Sequence, residues 1–221
     1  MIAYLFDIDG TLLRAGGAGA RALAAVMRAR YGVEDAARGV AFGGRTDGWI
    51  VRQLIVRALG REPQPGEIDL VLADYLAELG RELPTRLRVL PDADQVLAWL
   101  GARPEVRLGV ATGNVAAGAR AKLEAAGLAH HFGFGGYGCD STDRAELVAV
   151  AIAKSGVGAG DTAVVVGDTI HDVAAARACG AKVVAVTTGA DDRATLEAAG
   201  ADVVFDGLAP LCAWHQATFA A

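Results

Sequence analysis

Acidic and hydroxyl side chains recur in this chain where short apolar runs end. Asp7 and Asp9 follow the run Ile2 to Phe6, Thr112 and Asn114 follow Val106 to Ala111, and Asp168 and Asp172 follow Thr162 to Val166. Each has an ordinary reading by itself, because Asp after a strand caps the next helix and Asp-Gly makes a turn. Together they make a different case. Four carboxylates and a hydroxyl gathered at neighbouring strand ends repel one another unless a hard cation, or a phosphate with its metal, sits among them, and carboxylate oxygens suit Mg²⁺.

The elements that would position these groups are legible in outline. Lys182 to Val186 and Ala201 to Phe205 add two more apolar runs, making five strand candidates. Between them lie segments of helical period at Asp92 to Leu100, Val115 to Ala126, Arg144 to Ser155, His171 to Cys179 and Asp191 to Ala199. That alternation predicts βαβ crossovers and a parallel sheet covered on both faces, an α/β fold with ligands at the carboxyl ends of its strands. One region departs from it. Arg21 to Tyr31, Asp47 to Leu59 and Glu67 to Leu79 are amphipathic helices with no strand among them. The chain is therefore expected to divide into a core, residues 1–13 and 89–221, and an inserted helical lobe, residues 14–88, joined through Leu13 to Gly19 and Pro84 to Pro91.

Composition sets the outer limits. At 221 residues, 53% hydrophobic and 21% charged, the chain can bury a full core and lies close to globular averages. Its net charge of -5 argues against a broad cationic face for nucleic acid. Cys139, Cys179 and Cys212 are odd in number and irregularly spaced, which supports neither a disulfide framework nor a Cys-rich zinc site. No stretch approaches the roughly 20 apolar residues of a membrane span, and the first residues lack a signal-peptide pattern, so the cytoplasm is the expected compartment. A monomer or a homodimer is expected.

The segments Asp7-Ile8-Asp9-Gly10-Thr11-Leu12, Thr112-Gly113-Asn114 and Gly167-Asp168-Thr169-Ile170-His171-Asp172 resemble, in order and spacing, the first, second and fourth motifs of the haloacid dehalogenase-like superfamily, in its phosphatase branch. The helical insertion resembles the C1 cap of its phosphoglycolate phosphatase-like members. The resemblance implies a Rossmann-like core and hydrolysis of a small phosphorylated metabolite with Mg²⁺ as cofactor. Asp7 would be the nucleophile, forming an aspartyl-phosphate, and Asp9 the acid/base, which needs a protonated carboxyl at the first step. The metal would be held by the Asp7 carboxylate, the Asp9 backbone carbonyl and Asp168, with Asp172 as a ligand or an orienter. Thr112, with N–H groups near Gly113 and Asn114, would bind phosphate.

The family's third motif is usually a lysine. Arg144 stands where that lysine is expected, and its fork can grip phosphate. Lys122, in mid-helix, is the competitor and reads as a solvated surface lysine, so Arg144 is preferred. The inserted lobe contains no Lys and no His, which disfavours a phosphonatase-like Schiff base and weakens a phosphomutase reading, while Asp9 sets the chain apart from a dehalogenase proper. Gly43-Gly44-Arg45-Thr46-Asp47 is the lobe's most suggestive segment, with Arg45 placed to meet a substrate carboxylate and Thr46 or Asp47 as the competing helix cap. Phosphoglycolate is accordingly the leading substrate expectation. A sugar-phosphate phosphatase, a phosphomutase and a non-catalytic phospholigand-binding protein are the alternatives.

Overall fold

A computed structural model describes residues 1–219. In chain order the elements are β1 (Ile2–Phe6), β2 (Leu13–Arg14), α1 (Ala18–Tyr31), α2 (Asp47–Leu59), α3 (Glu67–Arg86), β3 (Arg88–Val89), α4 (Ala93–Gly101), β4 (Val106–Thr112), α5 (Ala116–Ala125), β5 (Phe134–Tyr137), α6 (Arg144–Ser155), β6 (Thr162–Gly167), α7 (Ile170–Ala178), β7 (Lys182–Val186), α8 (Arg193–Ala198), β8 (Val203–Phe205) and α9 (Leu211–Phe219). A short 3₁₀ turn, Ala129–His131, precedes β5.

Six strands form one parallel sheet in the order β5-β4-β1-β6-β7-β8. Every residue of β1 is buried, as a central strand flanked on both faces requires. Its side chains alternate between two cores. Tyr4 and Phe6 join Val164, Val166, Val184 and Val186 on one face, while Leu5 joins Val165, Val183 and Ala185 on the other. Chain connections leave β1 toward β4 on one side and return to β6 on the other, so the order of strand addition reverses beside β1 while every strand stays parallel. In parallel α/β sheets a crevice opens at such a reversal, beyond the carboxyl ends of the strands. Asp7, Thr112 and Asp168 lie at the ends of β1, β4 and β6.

The inserted helices α1, α2 and α3 pack on one another through Leu23, Val26, Met27, Ile50, Leu54, Val71, Tyr75 and Leu79, all buried. Gly32 and Gly60 end α1 and α2 in the left-handed conformation. The chain enters and leaves this lobe through β2 and β3, which pair antiparallel with Leu13 opposite Val89 and Arg14 opposite Arg88. The expected linker at Pro84 is instead the last turn of α3, which runs to Arg86; the helix continues through the proline without its N–H bond, and Leu83 beside it packs into the core. No described helix is long and apolar enough to cross a membrane.

Strand β5 has no counterpart in the sequence reading. In β5, Phe134-Gly135-Gly136-Tyr137, glycines stand where strand-forming residues would signal a strand, because α6 crosses very close. A β-carbon at Gly136 would lie 1.8 Å from the Leu147 carbonyl oxygen. Helix α9 packs near α4 and carries His215, whose Nδ1 lies 2.9 Å from the buried Tyr4 hydroxyl. We expect Gly136→Ala to lower stability by about 1–3 kcal/mol in urea unfolding, as overpacking does. Gly133→Ala, where a β-carbon meets nothing within 4 Å, should stay within about 0.5 kcal/mol of the parent. Equal midpoints for the two variants would contradict this packing.

Candidate active site

The four sequence motifs meet in one pocket of about 480 Å³ between the sheet's carboxyl edge and the inserted helices. Asp7, Asp9, Thr112, Gly113, Asn114, Arg144 and Asp168 line it, together with Arg45 and Lys122. Asp7 and Asp168, which line it, and Asp172, which does not, bring one carboxylate oxygen each within 4.8 Å of the others, and all three are buried. Helix α7 explains how Asp172 is held. Thr169 caps the helix, and Asp172 Oδ2 accepts from the Thr169 backbone N–H at 3.0 Å and its hydroxyl at 2.7 Å, a reciprocal capping box. Asp168 accepts from the Thr11 hydroxyl at 3.2 Å and the Ala190 N–H at 2.9 Å. A side chain at Gly189 would overlap it, since a β-carbon there would lie 1.7 Å from Asp168 Oδ2.

Arg144, at the start of α6, is the counter-charge of this cluster. Its guanidinium bonds Asp172 through Nε at 3.0 Å and through Nη2, and Nη2 also lies 3.2 Å from Asp7 Oδ1. One guanidinium cannot neutralise three carboxylates. Burial, then the Asp7 and Asp172 charges, pushes Asp168 up to about 8; burial pushes Asp7 up to about 6 against the opposing pull of Arg144. Without another cation, these acids retain protons well above the ordinary carboxylate range. Hard oxygen donors with uncompensated negative charge fit Mg²⁺.

A second network forms the pocket's other side. Lys122 is 5% exposed, so the solvated position read from the sequence is corrected: α5 turns it inward, where its Nζ donates to Asp9 Oδ2 at 2.5 Å and Asn114 Oδ1 at 2.6 Å. Burial favours its neutral form, but Asp9 and Asp47 outweigh that and hold its pKa above the usual value. Arg144 and Lys122 are therefore not competitors for one place; both enter the pocket, from opposite sides. Asn114 Nδ2 donates to Asp9 at 2.9 Å and to Thr112 Oγ1 at 2.8 Å, and its backbone N–H reaches Thr112 at 3.3 Å. The donors of Asn114 thus orient Asp9 and Thr112.

Asp47 escaped the sequence reading except as a helix cap, a place Thr46 takes by accepting from the Trp49 N–H at 3.3 Å. The Asp47 side chain instead turns inward, and its Oδ2 accepts from the Val115 N–H at 2.8 Å while its own N–H donates to the Gly113 carbonyl at 2.8 Å. Gly113 is what permits the approach, since a β-carbon there would meet the Arg45 carbonyl at 2.2 Å. Burial pushes Asp47 up to about 6, against the opposing pull of Lys122. Arg45 is exposed at the pocket mouth, its guanidinium 4.6 Å from the Trp49 ring centroid. The signal that would have found Asp47 and Lys122 is a charged residue on an otherwise apolar helix face.

The family model of haloacid dehalogenase-like hydrolases matches residues 2–180, and the chain belongs to that family. No curated protein matches the chain. Among solved structures, a hydrolase from Pseudomonas syringae is similar at 23% identity and a TM-score of 0.74, covering 98% of this chain and 99% of its own. A predicted phosphoglycolate phosphatase from Haemophilus somnus 129pt is similar at 21% identity and a TM-score of 0.73, covering 98% and 97%. CbbY from Rhodobacter sphaeroides, in complex with phosphate, is similar at 20% identity and a TM-score of 0.72, covering 95% of each chain. At such identities the likeness speaks for the fold.

The raised acids fix a pH dependence. An acid whose folded pKa exceeds its unfolded value favours folding below the unfolded value and loses that contribution as pH rises through the folded one. For Asp168 the window runs from about 4 to about 8. His171 and His215, lowered chiefly by burial, act in the opposite sense, so a difference between variants is the clean measurement. Metal-free wild type should lose stability relative to Asp168→Asn across that window in urea unfolding. Parallel profiles would contradict the raised Asp168.

Proposed function

We propose that the chain is a Mg²⁺-dependent phosphatase that hydrolyses a small phosphate monoester through an aspartyl-phosphate on Asp7, with residues 14–88 serving as a helical cap over the site. The observation that carries this reading is the convergence, in one pocket, of the buried acid Asp7, a second acid Asp9, the hydroxyl of Thr112 and two cations of separate origin. A binding protein has no need of a positioned nucleophile beside an acid/base.

Asp7 and Asp168 carboxylates and the Asp9 backbone carbonyl would hold Mg²⁺, with Asp172 engaged by Thr169 and Arg144 as the orienter of the cluster. The ion, when bound, supplies positive charge that offsets repulsion between an anionic nucleophile and an anionic phosphate. Asp7 Oδ attacks phosphorus in line; the Asp7–phosphorus bond forms as the bond to the leaving oxygen breaks, and that oxygen takes a proton from Asp9. Water then attacks the phosphoryl group, Asp9 takes its proton, and inorganic phosphate leaves with Asp7 restored. Thr112 Oγ1 accepts from Asn114, which leaves its own O–H to donate to a phosphoryl oxygen, and Arg144 offers charge to the same group. Lys122 and Asn114 fix the direction of Asp9.

With Mg²⁺ and a generic aryl phosphate, Asp7→Asn should lower phosphate release by at least about 10³-fold, the scale on which an essential nucleophile acts. Equal release by the two proteins would refute the nucleophile. Lys122→Met should reduce kcat by about 10²-fold with KM changed much less, because it disorders the acid/base and leaves phosphate contacts in place. A change confined to KM would instead make Lys122 a substrate contact.

A further inference from the structure

The pocket has a charged floor and an apolar roof. Leu23 of α1, Phe42 in the loop before α2, Ile50 of α2 and Tyr75 of α3 face the catalytic acids across the cavity. Leu23, Ile50 and Tyr75 are at most 3% exposed, so the roof is fixed packing and not a set of loose surface side chains. Burial, then the Asp47 and Asp9 charges, holds the Tyr75 phenol well above its ordinary pKa, which leaves it a neutral group.

The charges that do reach this end are unsuited to a second anion. Asp47 presents a buried carboxyl, and Lys122 is already bonded to Asp9 and Asn114. Arg14 and Arg45 also line the pocket and are exposed at its rim. Arg14 places Nε and Nη2 on the Thr188 carbonyl at 3.2 and 2.7 Å, and Arg45 lies over Trp49. A carboxylate carried on a leaving group seated against Leu23, Ile50 and Tyr75 would be taken from water into apolar walls, which is costly, whereas an apolar group gains there. The volume, about 480 Å³, falls in the range of sites that enclose whole small molecules, larger than a two-carbon acid fills.

Resting on the phosphatase reading above, we propose that the substrate's leaving group is an uncharged, chiefly apolar alcohol, held by Leu23, Phe42, Ile50 and Tyr75, in place of the carboxylate-bearing alcohol that phosphoglycolate would supply. The roof selects by excluding a second charge as much as by attracting apolar surface.

The test compares kcat/KM, with Mg²⁺, for butyl and hexyl phosphate against phosphoglycolate and a hexose bisphosphate. The leaving alcohols are all poor, so leaving-group chemistry favours none of them strongly. The alkyl esters should be turned over at least about 10-fold more efficiently, hexyl above butyl, and Ile50→Arg should shift the ratio toward phosphoglycolate by a similar factor. Preference for phosphoglycolate or the bisphosphate in the wild type would overturn the proposal. So would a tenfold loss of phosphoglycolate turnover in Arg45→Ala with alkyl ester turnover intact, since that would place a carboxylate on Arg45. Absence of Asp7-dependent hydrolysis of every ester would overturn the phosphatase reading, and this inference with it.

Discussion

Three buried carboxylates facing one guanidinium are the constraint around which this molecule is arranged. Asp7, Asp168 and Asp172 come from two strand ends and the first turn of a helix; among the described residues Arg144 is the one cation paired with Asp7 and Asp172, and Asp168 has no ion-pair partner. Burying unpaired charge is expensive, so such an arrangement persists only where a proton or a cation completes it. The parallel sheet supplies the address, because the switch in strand order at β1 leaves a crevice beyond its carboxyl end. The precise fit comes from small local devices: the Thr169 capping box that fixes Asp172, and glycine at position 189, where any side chain would overlap Asp168.

The inserted helices do more than cover the crevice. Through Asp47 the first residue of α2 is bonded twice to the loop after β4, once by its carboxylate and once by its backbone N–H. That loop carries Asn114 and follows directly on Thr112, and Asn114 in turn holds Asp9 together with Lys122. A displacement of α2 would break both bonds and remove a negative neighbour from Lys122. The lobe is joined to the core by β2 and β3, two residues each, which form a narrow paired connection. Position of the lobe and order of the acid/base are therefore linked through a short chain of contacts, each with a named donor and acceptor.

Much of this was legible in the sequence where the physics is local. Apolar runs ending in Asp7, Thr112 and Asp168 marked the strands and their polar ends, because a strand buried on both faces must be apolar throughout. The family resemblance supplied roles that spacing alone does not. What stayed hidden depended on contacts between distant segments. The apolar face of α5 hints that Lys122 is buried, but not that Asp9, 113 residues away, is its partner. Asp47 looked like a cap because Thr46 and Asp47 are both competent caps, and only tertiary packing turned one of them inward. Strand β5 was missed since its glycines answer to the close passage of α6 and not to strand propensity.

The most direct test of the account is a calorimetric titration of metal-free protein with Mg²⁺ near pH 7 in two buffers of different ionisation enthalpy. Because Asp168, raised to about 8, retains a proton at that pH, binding should take up one ion per chain with proton release, seen as a buffer-dependent heat, and Asp168→Asn should lose most of the affinity. Binding that is absent in the wild type, or equal in wild type and Asp168→Asn, would contradict the claim that a divalent ion completes the buried carboxylates.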